Sequence, residues 1–157
     1  MSPIKTEPRK TLVLGIGNLL LGDEGIGVVA VQSLMTSELA DQAVFVDGGT
    51  GGFNLLSYLG EYPRLIMIDA ASDGRPPGTV THLRPRFARD FPRSLTAHDI
   101  GLRDLIEASS LLGELPRIDL ITVSIAKLQS MTLDISEPVR NALPEVEKKV
   151  RSLLNEG

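Results

Sequence analysis

The sequence predicts a single-domain, three-layer α/β fold in which a twisted, mostly parallel β-sheet lies between helices. Three observations support this prediction. The length of 157 residues suits one domain. Aromatic residues make up only 4% of the chain, so the core must be aliphatic. Short apolar runs alternate with segments of helical periodicity, which is the pattern of an α/β sheet whose parallel strands are buried on both faces.

The first half of the chain contains three predicted strands separated by predicted helices. Thr11–Gly17 is a continuous apolar run of strand length, and Gly27–Leu39 follows it with apolar residues at helical spacing. Ala43–Asp47 is the second predicted strand, and Arg64–Ala70 (RLIMIDA) is the third. A short helix over Phe53–Leu59 connects them. We therefore expect strand and helix to alternate throughout this half.

The second half is less regular. It contains a predicted edge strand, a charged loop or broken helix, and a buried strand, over Thr79–Leu83, Pro85–Ser94 and Ile118–Ile125. Thr96 and Asp99 have the spacing of a capping box, which predicts a helix that begins there. Ser136 and Pro138 open a C-terminal helix, and Pro144 should either kink that helix or restart it.

The N-terminal segment superficially resembles a signal peptide. Basic residues precede the apolar run Leu12–Leu21, but this run contains glycines, ends in Asp23-Glu24 and lacks a cleavage site. It is also too short to span a bilayer. We interpret residues 1–10 as a disordered leader and residues 11–157 as the domain, in a cytoplasmic protein without membrane insertion.

Composition excludes several classes of function. The chain has no cysteine, which rules out a disulfide framework, a thiolate metal site and a cysteine nucleophile. The net charge of −4 gives no basic field that would attract nucleic acid. Nothing in the sequence demands more than a monomer.

The glycine-rich segment Gly15–Gly22 follows a strand and precedes a helix, as phosphate-binding loops do. A dinucleotide-binding loop would need a third glycine where Leu20 stands. A P-loop would continue with lysine, whereas Gly22 is followed by Asp23 and Glu24, which repel phosphate. The loop is therefore better suited to present carboxylates than to bind an anion.

Acidic residues follow three successive predicted strands. Asp23 and Glu24 come after the first strand, Asp47 closes the second and Asp69 closes the third. The carboxyl ends of parallel strands share one edge of a sheet, so we expect these side chains to converge there if the strand order is 2-1-3. Carboxylates that converge in a cleft must bind a cation or take up protons. Taken together, they predict a cation site.

His98 can supply a nitrogen ligand to this site. It lies in the first turn of the capped helix, where the helix N-terminus favours the neutral imidazole that binds metals. Glu24, Asp69 and His98 would give two oxygen ligands and one nitrogen, which suits a borderline divalent ion such as nickel or zinc. His82, on the predicted edge strand, has no such context, and we expect it to have a surface role.

Five segments together resemble the hydrogenase maturation endopeptidase family, in the family's order and at compatible separations. They are LVLGIGNLLLGDEGIGV, VDGGTGG, LIMIDA, PPGTV and TAHDIGL, at Leu12–Val28, Val46–Gly52, Leu65–Ala70, Pro76–Val80 and Thr96–Leu102. The resemblance implies an α/β fold and an endopeptidase that removes the C-terminal extension of the nickel-loaded large-subunit precursor of a nickel–iron hydrogenase.

By motif, Glu24, Asp69 and His98 match the family's three nickel-binding residues. The resemblance implies that the nickel ion arrives in the precursor, so that the isolated site would be empty or hold another divalent cation. Asp47 matches the family's D-G-G turn. We expect the nickel to polarise the scissile carbonyl or to activate water, with Asp23 or Asp47 as a base or positioning group. The chain departs from many members after its last strand, over Ser124–Gln129, which leaves open the hydrogenase isoform that it serves.

Two other functions are compatible with some of these residues. A nickel carrier without catalysis would use the same three ligands, but it would hold the ion tightly before meeting its partner. A phospho-acceptor receiver module would use Asp69 as the acceptor. The receiver pattern also needs a hydroxyl and a lysine after two different strands, whereas Ser124 and Lys127 follow the same one.

Overall fold

Five strands form one sheet in the computed structural model, which describes residues 11–49, 58, 60–95, 107–108, 111, 116–126 and 131–156. The strands are β1 Thr11–Gly15, β2 Val44–Asp47, β3 Arg64–Ala71, β4 Val80–Leu83 and β5 Arg117–Ser124. Their order is β2-β1-β3-β5-β4. The strands β2, β1, β3 and β5 are mutually parallel, and β4 runs antiparallel to β5 at the edge. The mostly parallel α/β sheet predicted from the sequence is confirmed.

Among the described helices, one lies between β1 and β2 in the chain and two follow β5. Helix α1 is Ile26–Met35, α2 is Glu137–Arg140 and α3 is Leu143–Asn155, and short 3-10 turns lie at Gly22–Gly25 and Ala88–Asp90. Pro144 lies in the first turn of α3, where its missing N–H group has no helical partner to lose. Of the two outcomes expected for Pro144, the structure therefore has the restart.

The core is divided between the two faces of the sheet. Alternate residues of a strand point to opposite faces, and all eight residues of β3 are buried. Ile66 and Ile68 pack on one face, in a cluster that includes apolar residues of α1 and α3. Leu65 and Met67 pack on the other face, in a cluster that includes Phe91. Burial on both faces explains why β3 appears in the sequence as a continuous apolar run.

Helix α1 lies unusually close to the sheet because glycines line the contact. A Cβ atom on Gly27 would overlap the backbone carbonyl oxygens of Ile68 and Ile16, and one on Gly15 would overlap the carbonyl oxygen of Gly27. No other residue could occupy these positions without displacing backbone. This close approach fixes the start of α1, and with it the preceding 3-10 turn, against the ends of β1 and β3.

Several predicted elements lie partly or wholly outside the described residues. Of the helix predicted over Phe53–Leu59, the structure describes only Tyr58, which is helical. The capping box at Thr96 and the leader over residues 1–10 lie outside the described residues. Glu107, Ala108 and Leu111, from the helix expected after that capping box, are helical. None of the helices in the described part of the chain is long and apolar enough to cross a membrane.

Candidate functional site

The candidate site lies at the carboxyl edge of the sheet, at the topological switch point, where the connections from neighbouring strands lead in opposite directions. Strand β1 lies between β2 and β3. The connection that follows β1 leads to β2 on one side of β1, and the connection that follows β2 leads to β3 on the other side. A crevice forms at such a switch point and is the usual ligand position in open α/β sheets. The strand order 2-1-3, which the predicted convergence of the acids requires, is the observed one.

Glu24 lies in the 3-10 turn between β1 and α1, and this turn contacts β3. Its side chain is half-buried. Gly17 has a φ of +151°, and a Cβ atom there would overlap the carbonyl oxygen of Glu24. The glycines of the loop therefore allow the backbone to fold back tightly, which brings Glu24 to the end of β3.

Asp69 lies in β3 next to the position where β1 leaves the sheet. Its neighbour Ile68 pairs with Gly15, the last residue of β1, and the Ile68 carbonyl accepts a hydrogen bond of 2.9 Å from the Ile16 N–H. The Asp69 side chain is fully buried, and its Oδ1 accepts a 2.8 Å hydrogen bond from the Ala70 N–H. The backbone thus holds this carboxylate at the switch point.

Asp47 ends β2 and has an exposed side chain. Its Oδ1 accepts a 2.9 Å hydrogen bond from the Gly49 N–H, which closes a turn that requires the φ of +55° at Gly49. The Gly49 carbonyl in turn accepts a 2.7 Å hydrogen bond from the Gly17 N–H. Asp47 therefore positions the glycine turn against the loop that carries Glu24.

Asp23 has a different environment from the other acids. It is buried, and its two carboxylate oxygens accept hydrogen bonds of 2.7 Å from the N–H and the hydroxyl of Ser136. Ser136 immediately precedes α2. The Asp23 carboxylate therefore ties the β1–α1 loop to the segment before α2. This contact has no signal in the sequence, because no spacing rule relates residues 113 positions apart.

His98, the third predicted ligand, lies outside the described residues, so the trio of Glu24, Asp69 and His98 is not assembled within them. The described part of the chain contains no group of three or more histidine, cysteine or acidic residues that could hold a metal ion. The chain nearest to His98 that the structure describes ends at Leu95, which forms an antiparallel bridge with Ala71. Ser94 reinforces this contact, because its carbonyl accepts a 3.0 Å hydrogen bond from the Ser72 N–H.

Ser124, one of the two residues considered for a receiver module, has a different contact in the structure. Ser124 is fully buried, and its hydroxyl donates a 3.1 Å hydrogen bond to Asp73 Oδ2. Lys127 lies outside the described residues. Ser124 is therefore part of a turn contact at the end of β5.

Comparison with known proteins places these observations in a family. The family model described as HycI, hydrogenase maturation protease, matches residues 28–153. The hydrogenase expression/formation protein HupD of Rhizobium leguminosarum bv. viciae is 35% identical over 153 residues, which cover 94% of this chain and 76% of the relative. The hydrogenase 2 maturation protease of Escherichia coli strain K12 is 34% identical over 144 residues, covering 87% and 88% of the two chains.

Solved structures agree with the sequence comparison. The hydrogenase maturating endopeptidase HybD from Escherichia coli superposes with a TM-score of 0.82 at 33% identity, covering 94% of this chain and 93% of that one. The [NiFe] hydrogenase maturation protease HybD from Thermococcus kodakarensis has a TM-score of 0.75 at 24% identity, with coverage of 92% and 99%. The second similarity supports the fold alone.

Proposed function

The chain belongs to the hydrogenase maturation protease family, and on that premise we propose that it removes the C-terminal extension of a nickel-loaded large-subunit precursor of a nickel–iron hydrogenase. Its peptidase activity follows from the family and from the endopeptidase fold. The proposal adds the identity of the bond that is cut, the recognition of nickel, and the residues responsible.

The observation that supports the proposal is that Glu24 and Asp69 lie on two elements that meet at the switch point of the sheet. The turn with Glu24 contacts β3, and Asp69 lies where β1 ends beside β3. Two carboxylates at one crevice suit a divalent cation. Leu95, three residues before His98 in the sequence, forms a bridge with Ala71, two residues after Asp69, and this contact supports including His98 in the proposed site.

The precursor brings the nickel ion to this crevice as part of the substrate. Glu24, Asp69 and His98 would hold the ion, and its charge would supply Lewis acidity to the cleavage. Glu24 is half-buried whereas Asp69 is fully buried, so Glu24 is the carboxylate that an arriving precursor meets first. Binding the ion also positions the tail, which turns recognition of nickel into recognition of a correctly loaded substrate.

Cleavage is a hydrolysis. Water adds to the scissile carbonyl carbon, the C–N bond breaks, and the products are a carboxylate on the mature subunit and an amine on the released peptide. Of the two acids considered for proton transfer, Asp47 is exposed, whereas both oxygens of Asp23 accept hydrogen bonds from Ser136. We therefore assign proton transfer to Asp47 and a positioning role to Asp23.

The test is a processing assay on the cognate precursor with and without nickel, followed by mass spectrometry of the tail. We expect cleavage of the nickel-loaded precursor only. Glu24→Gln and Asp69→Asn should each lower kcat/KM by about 100-fold or more, because each removes a charged ligand while keeping side-chain shape. Glu145→Gln, at an exposed position of α3, is the matched control and should process normally.

A different result would identify the alternative function. If no cognate precursor is cut and the free protein binds nickel tightly, the chain is a nickel carrier. Cleavage of nickel-free precursor at the normal rate would contradict the proposed recognition of nickel. The cytoplasmic location and the monomeric state expected from the sequence stay predictions.

A further inference from the structure

Exposed apolar side chains are concentrated on two loops at the carboxyl edge of the sheet. The first loop connects β1 to α1, and the second loop precedes α2. Among the described residues, seven large apolar side chains are exposed, and four of them lie on these loops: Leu19 at 37%, Leu20 at 57%, Met131 at 81% and Leu133 at 73%. Single exposed apolar residues are normal on a protein surface, but a contiguous patch marks a site of interaction. We call these four residues the apolar ridge.

The two loops are held together by backbone hydrogen bonds, so the ridge is a continuous feature. Leu21 and Thr132 form a parallel bridge. The Thr132 N–H donates a 3.0 Å hydrogen bond to the Leu20 carbonyl, and the Thr132 carbonyl accepts a 2.8 Å hydrogen bond from the Gly22 N–H. The pairing register therefore sets Leu20 beside Met131.

Exposure differs between the bridged residues and their neighbours. Leu20, Met131 and Leu133 are exposed, whereas the bridged residues Leu21 and Thr132 are half-buried. The residue opposite Leu133 on the other loop is Gly22, which has no side chain that could cover it. The apolar side chains that flank the bridge are therefore the ones open to a partner.

The ridge is next to the predicted ligand Glu24. A Cβ atom on Gly25 would lie only 2.9 Å from the Cα of Leu19, so Leu19 packs directly on the 3-10 turn that contains Glu24. The Asp23 carboxylate, from the same turn, holds Ser136 at the other end of the second loop. A protein that brings a peptide bond to Glu24 therefore comes close to the ridge.

We propose that the apolar ridge is the docking surface for an apolar patch of the hydrogenase large-subunit precursor. This inference rests on the proposed function, because it assigns the precursor as the occupant. The proposed substrate is a protein subunit, so its contact with this chain extends beyond the peptide segment at the metal ligands. Aliphatic side chains give affinity without fixed polar geometry, which suits a surface that must also release the mature product.

The test compares ridge variants in the processing assay with purified nickel-loaded precursor. Leu20→Ser and Leu133→Ser should each raise KM about tenfold and leave kcat nearly unchanged, because each removes an apolar contact made equally in the bound substrate and the transition state. Met131→Gln should raise KM in the same way. Each variant should unfold at the wild-type temperature, since the lost side chain is exposed in the free protein.

Met35→Gln is the matched control for Met131→Gln. Met35 is also exposed, at 41%, but it lies at the far end of the ten-residue helix α1, about 14 Å along the helix axis from the end next to Glu24. The Met35→Gln variant should have the wild-type values of both KM and kcat.

The possible outcomes separate the inference from the function on which it rests. Wild-type processing with unchanged KM in all three ridge variants would overturn the docking surface and leave the proposed function intact. Failure of the wild-type protein to cut the precursor would overturn both. If sedimentation instead finds a wild-type dimer that the ridge variants dissociate, and KM is unchanged, the occupant is a second copy of this chain and the inference is wrong.

Discussion

The Asp23 carboxylate connects two parts of the chain that are far apart in sequence. It accepts two 2.7 Å hydrogen bonds from Ser136, 113 residues away. One of these bonds satisfies the backbone N–H of Ser136, the N-cap residue of α2, as the acid of a capping box does. The other involves a hydroxyl that can rotate to either donate or accept. Asp23 is therefore a structural link between the loop with Glu24 and the second loop of the ridge.

We predict that Asp23→Ala destabilises the protein by about 1–2 kcal/mol, the usual effect of losing a helix cap. It should also lower processing, because the two loops separate. Asp23→Asn should retain both stability and most activity. Its amide oxygen can still accept from the Ser136 N–H, and its amide nitrogen can donate to the rotated hydroxyl. Urea denaturation and kcat/KM for both variants provide the measurement.

The pair of variants distinguishes a positioning role from proton transfer. An amide cannot act as a general base, so a catalytic Asp23 would lose activity equally in both variants. Loss of processing in a stable Asp23→Asn protein would contradict the positioning role, and it would return Asp23 to the set of candidate bases.

At the level of elements, the close contact of α1 with the sheet determines where the site forms. The backbone of α1 at Gly27 lies directly on the carbonyls of Ile68 and Ile16. Ile68 is the residue before Asp69, and α1 begins immediately after the turn with Glu24. The same contact that packs the helix thus brings the two predicted ligands to one edge.

We predict that Gly27→Ala destabilises the protein by about 1–3 kcal/mol or more, because the added methyl group overlaps backbone atoms that cannot move aside as a flexible side chain could. Processing should fall further than the loss of stability explains, since α1 must shift and carry Glu24 with it. Urea denaturation and the processing assay, both at a temperature where the variant is folded, would measure the two effects.

Gly60→Ala is the matched control. Gly60 is helical, and no atom of the described residues lies within 4 Å of a Cβ atom placed on it. This variant should be neutral, or more stable by about 0.5–1 kcal/mol, because alanine loses less backbone entropy than glycine on folding. An equal free energy of unfolding for the Gly27→Ala and wild-type proteins would contradict this prediction, because it would show that α1 can move away from the sheet without loss of stability.

Elements with a periodic or continuous apolar pattern could be predicted from the sequence, and long-range polar contacts could not. The run Arg64–Ala70 indicated a buried strand because burial on both faces requires apolar residues at every position. The carboxyl-edge positions of Glu24 and Asp69 then followed from strand order. Asp23 and Ser136 gave no such signal, because two polar residues that meet through tertiary packing have no preferred spacing.

At the scale of the whole molecule, the two edges of the sheet have opposite electrostatic character. The carboxyl edge carries the acids of the candidate site. The amino edge carries Asp119, fully buried on β5 and surrounded by cationic side chains. His82 Nε2 lies 2.8 Å from Asp119 Oδ1, Arg84 Nε donates to the same oxygen at 2.9 Å, and Arg64 Nη2 lies 3.5 Å from Oδ2.

This network also corrects the expectation for His82, which is half-buried against Asp119 instead of having only a surface role. The sequence could not reveal this contact, because β4 and β5 are joined by a long connection and their register is not readable from composition. Burial by itself raises the pKa of Asp119, but the hydrogen bonds from His82 and Arg84 outweigh this effect and hold the pKa below its ordinary value.

The lowered pKa of Asp119 predicts a specific dependence of stability on pH. A carboxylate whose pKa is lower in the folded than in the unfolded state stabilises the fold above its unfolded pKa of about 3.9, and this contribution is lost as the pH falls toward the folded pKa. Asp119→Asn should therefore flatten the fall in the free energy of unfolding below about pH 5. At pH 7 it should destabilise the protein by about 3 kcal/mol or more, because buried Arg64 loses its buried anionic partner and keeps only the exposed Glu156, at 3.8 Å.

Urea denaturation of both proteins from pH 3 to pH 7 measures this effect, with Asp41→Asn at an exposed position as the control that should follow the wild-type curve. Parallel curves for the wild-type and Asp119→Asn proteins would mean that another carboxylate governs acid unfolding. Asp119 lies at the edge opposite Glu24, so the variant should process the precursor at pH 7 wherever it is folded. Loss of activity in a folded Asp119→Asn protein would show that the two edges are coupled through the strands, and the network would then belong to the site as well as to the stability of the fold.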